Sequence, residues 1–373
     1  MDINLYGIII LSLIGILLII QLYYYFKYFS QLAFYKASAQ TNTKNLPISV
    51  IIAARNEAKN LEKYLPEILA QDYPDFEVIV VNDCSYDESE ELLKEFVKNH
   101  SNLKVVDLKE DDKYKHGKKF AITLGIKAAK HEHLLFTDAD CKPSSKHWIQ
   151  HMQSHFNNGV EIVIGHSPFI KESTFLNYFS RFETFFTAFQ YISFSLKKRT
   201  YMGVGRNMAY TKTLFFKNKG FASHMHVLSG DDDLFVNQAA TTSNTAVCLH
   251  PDSYVYTDAK PTWSEYFQQK LRHYSAGKLY KTKDKLDLTL ITLSNTFFYL
   301  AVISAFLLIV DYRILLGVLG FKYLLTGIYY YRSMHRLEVK DLFWIFPILD
   351  ILYFIIIPCW TLIALFTKRK KWK

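Results

Sequence analysis

The sequence predicts an α/β domain with transmembrane helices at both ends, and three observations support this. From about Leu46 to Asp258, short apolar runs alternate with helical stretches, the βαβα order of a parallel sheet covered by helices. Long, nearly uncharged runs lie towards the two ends of the chain. Polar and acidic clusters follow directly after the apolar runs, and in such sheets ligands sit at the carboxyl ends of strands. The 373 residues, 50% hydrophobic and 16% aromatic, are enough for one large globular domain and a few membrane helices.

Taken in order, Leu5 to Phe26 is long enough to cross a bilayer core of roughly 30 Å. It has no basic stretch before it and no small-residue cleavage site after it, so it reads as an anchor (residues 1–27) and not as a cleaved signal peptide. Lys27, Lys36 and Lys44 follow. Positive charge favours the cytoplasmic side, which puts the N-terminus outside and the middle domain (46–260) inside, facing the cytosol at the cell's inner membrane. Ile48 to Ile52, Phe76 to Val81, Leu103 to Asp107 and His133 to Thr137 read as buried strands. Helices are expected over Glu57 to Gln71, Asp87 to Lys98 and Lys118 to Ala129. An interfacial amphipathic region (261–287) leads into three more hydrophobic segments (288–367): Leu288 to Val310, Ile314 to Tyr331 and Leu342 to Phe366. A basic tail, 368–373, closes the chain. Pro347, Asp350 and Pro358 allow the last segment to be broken or re-entrant, so its direction stays open.

The net charge is +9 and the pI about 9.0. Much of the excess lies beside hydrophobic segments, as expected of membrane-surface charge. The basic residues form no stripe with exposed aromatics in the middle domain, which argues against nucleic-acid binding. Cys84, Cys141, Cys248 and Cys359 make no CxxC pair and no ligand-like spacing with histidine, so neither a disulfide framework nor a zinc site is signalled.

The chemistry-bearing residues follow the strands. Ala54-Arg55-Asn56-Glu57 follows the first strand, Asn82-Asp83-Cys84-Ser85 the second and Asp138-Ala139-Asp140 the fourth. Helix capping accounts equally well for Asn56, Ser85 and Asp87, and less well for Asp138 and Asp140, which face a turn just past a buried strand. Two aspartates one residue apart can hold a hard cation, Mg²⁺ or Mn²⁺, against a diphosphate that leaves as an anion. His116-Gly117-Lys118-Lys119 opens a helix, and a helix N-terminus with a lysine suits phosphate. A solvated basic face is the even alternative. Asp231-Asp232-Asp233 precedes another helix: either acidic first-turn residues favoured by the helix dipole, or a general base for an acceptor hydroxyl. Gln269 and Arg272 share a helix face one turn apart. Arg272 could hold phosphate bidentately, or the helix could simply be interfacial with snorkelling bases.

In this order the motifs resemble those of the membrane-bound family 2 glycosyltransferases, the group of cellulose, hyaluronan and poly-N-acetylglucosamine synthases and ceramide glucosyltransferases. The resemblance covers roughly residues 46–280. It implies a GT-A type mixed sheet with helices on both faces and a nucleotide-sugar donor, usually a UDP-sugar. It further implies that Ala54, Asn56, Glu57, Asp83, Lys118 and Asp138 line the nucleotide, and that Asp138 and Asp140 hold the metal. Asp232 is then the base, with Asp231 as fallback, and Gln269, Arg272 and His273 serve the diphosphate and the acceptor. His273 stands where the Gln-x-x-Arg-Trp signature has tryptophan. That departure, with the small complement of membrane helices, favours a single transfer to a lipid or membrane-proximal glycan acceptor, and with no second carboxylate clearly placed as a nucleophile the transfer is expected to invert. A processive polysaccharide synthase is the alternative within the class, and a non-catalytic membrane scaffold on a transferase fold the alternative outside it. Phe175 to Leu196 carries phenylalanines at helical spacing, which favours a packed core or bilayer-facing helix over a specific lipid groove. Gly203-Val204-Gly205-Arg206-Asn207 resembles the family's acceptor-side loop.

Overall fold

The computed structural model describes residues 5–36, 44–109, 117–227, 229–308 and 310–366. His116 and the 368–373 tail lie outside them. Among the described residues the main sheet has seven strands: β1 (Ile48–Ala54), β2 (Phe76–Asp83), β3 (Leu103–Leu108), β4 (His133–Asp138), β6 (Ile162–Ile164), β7 (Met208–Thr211) and β8 (Thr245–Val247). Their order is β3-β2-β1-β4-β7-β6-β8. β1, β2, β3 and β4 run parallel, whereas β7 is antiparallel to both β4 and β6, which makes the sheet mixed. A separate pair, β5 (Cys141–Pro143) and β9 (Val255–Thr257), forms just past Asp140. Such short strands carry no pattern long enough to read from sequence.

The four leading strands are Val/Ile-rich because both their faces are covered. Val50, Ile52, Val78 and Val80 face one apolar cluster with Leu61, Leu65 and Trp148. Ile51, Ile79 and Val81 face the other, together with the phenylalanines of the Phe175–Leu196 helix. The helix Lys118–Ala128 lies so close to this second face that a Cβ on Gly125 would come within 2.8 Å of the Ile51 methyl.

Four helices among the described residues are long and apolar enough to cross a membrane: Leu5–Ala33, Thr282–Leu307, Tyr312–Arg336 and Phe346–Ile363. The chain is therefore a membrane protein by helix length and composition. The last helix runs unbroken over Phe346–Phe366, so the sequence-based allowance for a broken segment is not needed. Pro347 falls in its first turn, where no intrahelical N–H is lost. Asp350 is capped by the hydroxyls of Tyr299 and Tyr330. The third-last helix begins at Thr282, before its apolar stretch, and its polar first turn joins domain to membrane. Arg199 reaches Asp287 at 2.6 Å and Asp284 at 3.0 Å, and Asn237 donates to Asp284 at 3.0 Å. The Phe175–Leu196 helix packs beneath the domain as its spacing suggests. Phe179, Phe182, Phe185, Phe186 and Phe189 are all buried, and Phe186 meets Tyr353 and Phe354 of the last helix.

Candidate active site

Strand register sets the first part of the site. Ala53 pairs with Val81 on one side and Asp138 on the other, so the loops after β1, β2 and β4 emerge side by side at one edge of the sheet. Two of these turns need left-handed backbone, at Asn56 (φ 54°) and Cys84 (φ 53°), a conformation that asparagine tolerates well. Asn56 is fixed from both sides. Its N–H donates to Ser85 Oγ at 2.9 Å, and its Oδ1 accepts from the Tyr86 N–H at 3.0 Å. Asp83 is fully buried at the end of β2 with Arg55 4.0 Å away.

The centre of the site is a lysine among carboxylates. Lys118, the first residue of its helix, lies 2.8 Å from Asp138 and 3.1 Å from Asp231. Burial works against the ammonium, but Asp138, Asp231 and Asp232 together outweigh it and keep it charged. Burial pushes the Asp138 carboxyl up, and Lys118 more than offsets this, so Asp138 stays ionised below the usual carboxylate range. Asp140 has no such partner. Burial and the neighbouring Asp138 push it up. Arg206 lies nearby, its guanidinium 5.0 Å over the Phe169 ring.

The acidic triplet is held by backbone. Gly230 takes φ 92°, and the helix Asp233–Ala239 begins immediately after Asp232. Asp232 accepts the Gly205 N–H at 2.8 Å through one oxygen and the Asp233 N–H at 2.8 Å through the other. A Cβ on Gly205 would stand 3.3 Å from Asp232 Cβ, which explains the glycine in that loop. Burial and Asp231 raise the Asp232 carboxyl. Asp233, which lines the same cleft, accepts the Tyr280 hydroxyl at 2.6 Å. Burial and then Asp232 lift its pKa to about 8. Lys119 donates to the carbonyls of His224 and Val227 at 2.6 and 3.0 Å, bracing the segment that leads to the triplet.

Gln269, Arg272 and His273 come from the helix Trp263–Gly277, which closes over the cleft. The Arg272 carbonyl accepts Ser229 Oγ at 3.0 Å, tying this helix to the acidic loop. Lys270 and Tyr266 both hold the buried Glu183, at 2.7 and 2.5 Å. Phe267 stacks on Trp360 of the last helix at 3.7 Å.

One cleft of about 990 Å³ gathers most of the residues singled out from sequence. Glu57, Lys118, Asp138, Asp140, Asp231, Asp232, Gln269, Arg272 and His273 all line it. Ala54, Asn56 and Asp83 do not. They form a shelf at the same sheet edge beside Ala53 and Glu57, with Ala54 and Asp83 fully buried. The cleft does not end at the domain: its walls continue through Leu288 and Thr292 of one membrane helix to Ile357 and Leu362 of another.

A known sequence pattern covers the first part of this arrangement, short of the acidic triplet and the Trp263–Gly277 helix: residues 49–217 match the model of glycosyl transferase family 2. The chain carries a family 2 glycosyltransferase domain. The poly-β-1,6-N-acetyl-D-glucosamine synthase of Staphylococcus epidermidis is 36% identical to it over 122 residues, 32% of this chain and 28% of that one. Glycosyltransferase AglE of Haloferax volcanii is 30% identical over 216 residues, 56% of this chain and 66% of that one. The matched region thus spans about a quarter of the staphylococcal synthase and just under two thirds of AglE. Among solved structures, a mannosyltransferase from Pyrobaculum calidifontis, in complex with GDP-Man and Mn²⁺, superimposes with a TM-score of 0.59. That match covers 94% of this chain and 99% of that one at 18% identity, a likeness of fold. The family 2 domain therefore has the GT-A architecture.

The residues of the family 2 domain fit a divalent cation. Ligand atoms of Asp138, Asp140 and Cys141 lie within 4.8 Å of one another. Two carboxylates, one of them raised by the other, are the donor set a hard cation would relieve. Cys141 is fully buried and burial pushes its thiol well up, so it contributes no thiolate. Three features escaped the sequence reading: the Tyr280 contact to Asp233, the Lys119 brace and the Glu183–Lys270 pair. Only Glu183, an acid inside a phenylalanine-rich helix, leaves a sequence signal.

Proposed function

We propose that the protein is an inverting glycosyltransferase that moves a sugar from a nucleotide-sugar, a UDP-sugar in this reading, to a lipid or other membrane-proximal acceptor. The single observation that carries this is the continuity of the cleft, from Asp138, Asp140 and Asp232 to the apolar side chains of two membrane helices. An acceptor with an apolar tail could keep that tail among the helices and present its head at the carboxylates.

In this reading the shelf of Ala54, Asn56, Glu57 and Asp83, with Lys118, holds the nucleotide. Asp138 and Asp140 would hold Mg²⁺ or Mn²⁺, which supplies positive charge to the donor diphosphate. Asp232, oriented by two backbone N–H groups, takes the acceptor hydroxyl's proton. The acceptor oxygen then bonds the anomeric carbon as the bond to the diphosphate oxygen breaks. A carboxylate raised by burial and a like charge is a stronger base than an exposed one. Arg272 faces the departing diphosphate. Both oxygens of Asp233 already accept hydrogen bonds, from the Tyr280 hydroxyl and the Leu234 N–H, which supports single displacement. The catalytic domain is cytosolic, at the cell's inner membrane.

Mass spectrometry of lipids from cells making the active protein or the Asp232→Asn variant tests the reading. A glycolipid present only with the active protein supports it. A soluble polymer ladder in its place would favour a processive synthase.

A further inference from the structure

A second cluster of metal-ligating side chains lies outside the transferase cleft. His151 sits in the short helix Trp148–Gln153. His250 and Asp252 flank the start of the 3₁₀ turn Pro251–Ser253. The two imidazoles lie face to face, their centroids 3.7 Å apart and their planes 11° from parallel. The Asp252 carboxylate stands 3.9 Å from His151 Nε2 and 3.9 Å from His250 Nδ1. That is too long for a hydrogen bond to either ring. Ligand atoms of the three residues fall within 4.8 Å of one another. None of the three lines the transferase cleft.

We propose that His151, His250 and Asp252 form a binding site for a borderline transition-metal ion of the Zn²⁺ class, separate from the catalytic cation. Two imidazoles and one carboxylate are a ligand set such ions take, with bonds of about 2.0–2.2 Å. Because the stacked rings direct their lone pairs in parallel planes, closing the cluster on one ion needs a side-chain rotation of at least one imidazole out of the stack. The ion would replace two contacts, the imidazole stack and the Asp252 N–H donating to His250 Nδ1 at 3.2 Å. Water or His147, one turn before His151 and exposed, completes the shell. Far-apart sequence positions explain why spacing alone gave no sign of it.

The site would clip two segments that already meet through Asn207. Trp148 Nε1 donates to Asn207 Oδ1 at 3.0 Å, and Asn207 Nδ2 donates to the carbonyls of His166 and Ser253 at 2.7 and 2.8 Å. Asn207 ends the loop whose Gly205 N–H holds Asp232. The role assigned to the ion is therefore structural: it stiffens the support behind that loop.

The test is equilibrium dialysis of the purified, chelator-treated full chain in detergent against Zn²⁺, with metal content and Tm as readouts. It compares the unmodified protein with His250→Ala, Asp252→Asn and, as a control for the catalytic cation, Asp140→Asn. We expect Zn²⁺ to raise Tm and the bound amount to fall by one equivalent in His250→Ala and Asp252→Asn. Asp140→Asn should keep that equivalent and its Tm shift. His250 and Asp252 are at the surface, so both variants should fold. Unchanged Zn²⁺ content and Tm shift in His250→Ala and Asp252→Asn would overturn the proposal. So would loss of the Tm shift in Asp140→Asn alone.

Discussion

The protein buries charge in two places, and the two are built differently. In the membrane bundle, Lys322 donates to Gln21 Oε1 at 2.9 Å and to Asn295 Oδ1 at 2.7 Å. Asp350 accepts from the hydroxyls of Tyr299 and Tyr330. Together these residues come from all four membrane helices, and neither Lys322 nor Asp350 lines the transferase cleft. At the sheet edge, Lys118 is shared by two carboxylates, while Asp140 and Asp232 are raised by like-charged neighbours and open onto about 990 Å³ of space. A buried polar network that is fully satisfied specifies packing. One left short of positive charge and open to a cleft is arranged for an incoming cation and its anionic ligand.

The comparison predicts opposite phenotypes. The largest effect is expected from Asp232→Asn, which keeps the shape but removes the base. Transfer should fall by roughly 10²–10⁴-fold, far more than the loss of folded protein from the one backbone hydrogen bond that an amide cannot keep. Asp140→Asn should also cut transfer steeply, and added Mn²⁺ should rescue it only at raised concentration, read from the metal dependence of the rate. Lys322→Met breaks the other network. It leaves Gln21 and Asn295 without their donor, costing about 1–3 kcal/mol and lowering Tm, with the turnover of folded protein unchanged. If Lys322→Met instead abolished turnover at unchanged Tm, the division between the two networks would fail.

A further predicted effect concerns pH. Asp233 has a folded pKa of about 8 against an unfolded value of about 3.9. Between these values the folded state keeps a proton that the unfolded state has lost. This group therefore subtracts stability as pH rises from about 4 to 8, and adds no further change above that. Asp233→Asn removes the titration, so the Tm of the unmodified protein should fall by a few degrees more than that of the variant between pH 5 and 8. Parallel curves would show that Asp233 is ionised and that burial and Asp232 do not keep it neutral.

The sheet core was legible because β1, β2, β3 and β4 are apolar runs with polar ends, and local pattern alone marks them. Asp138, Asp140, Asp231 and Asp232 were legible for the same reason: each follows an apolar run or precedes a helix. The antiparallel β7 and the β5–β9 pair were not, since strands of three or four residues are set by their neighbours. Nor was the grip of Arg199 on Asp284 and Asp287, or of Tyr280 on Asp233. Both join distant stretches of chain and leave no spacing to read. The unbroken last helix was obscured by Pro347, Asp350 and Pro358. The first sits harmlessly in the first turn, the second is satisfied by tyrosines from two other helices, and the third stands inside the helix without ending it.

The most direct measurement is donor turnover by the purified full chain in detergent, with a radiolabelled nucleotide-sugar panel led by UDP-sugars, a membrane lipid extract, and Mn²⁺ or Mg²⁺ present or removed. The account predicts metal-dependent release of nucleoside diphosphate matched by label in the organic phase. Donor binding with no release under any of these conditions would contradict it.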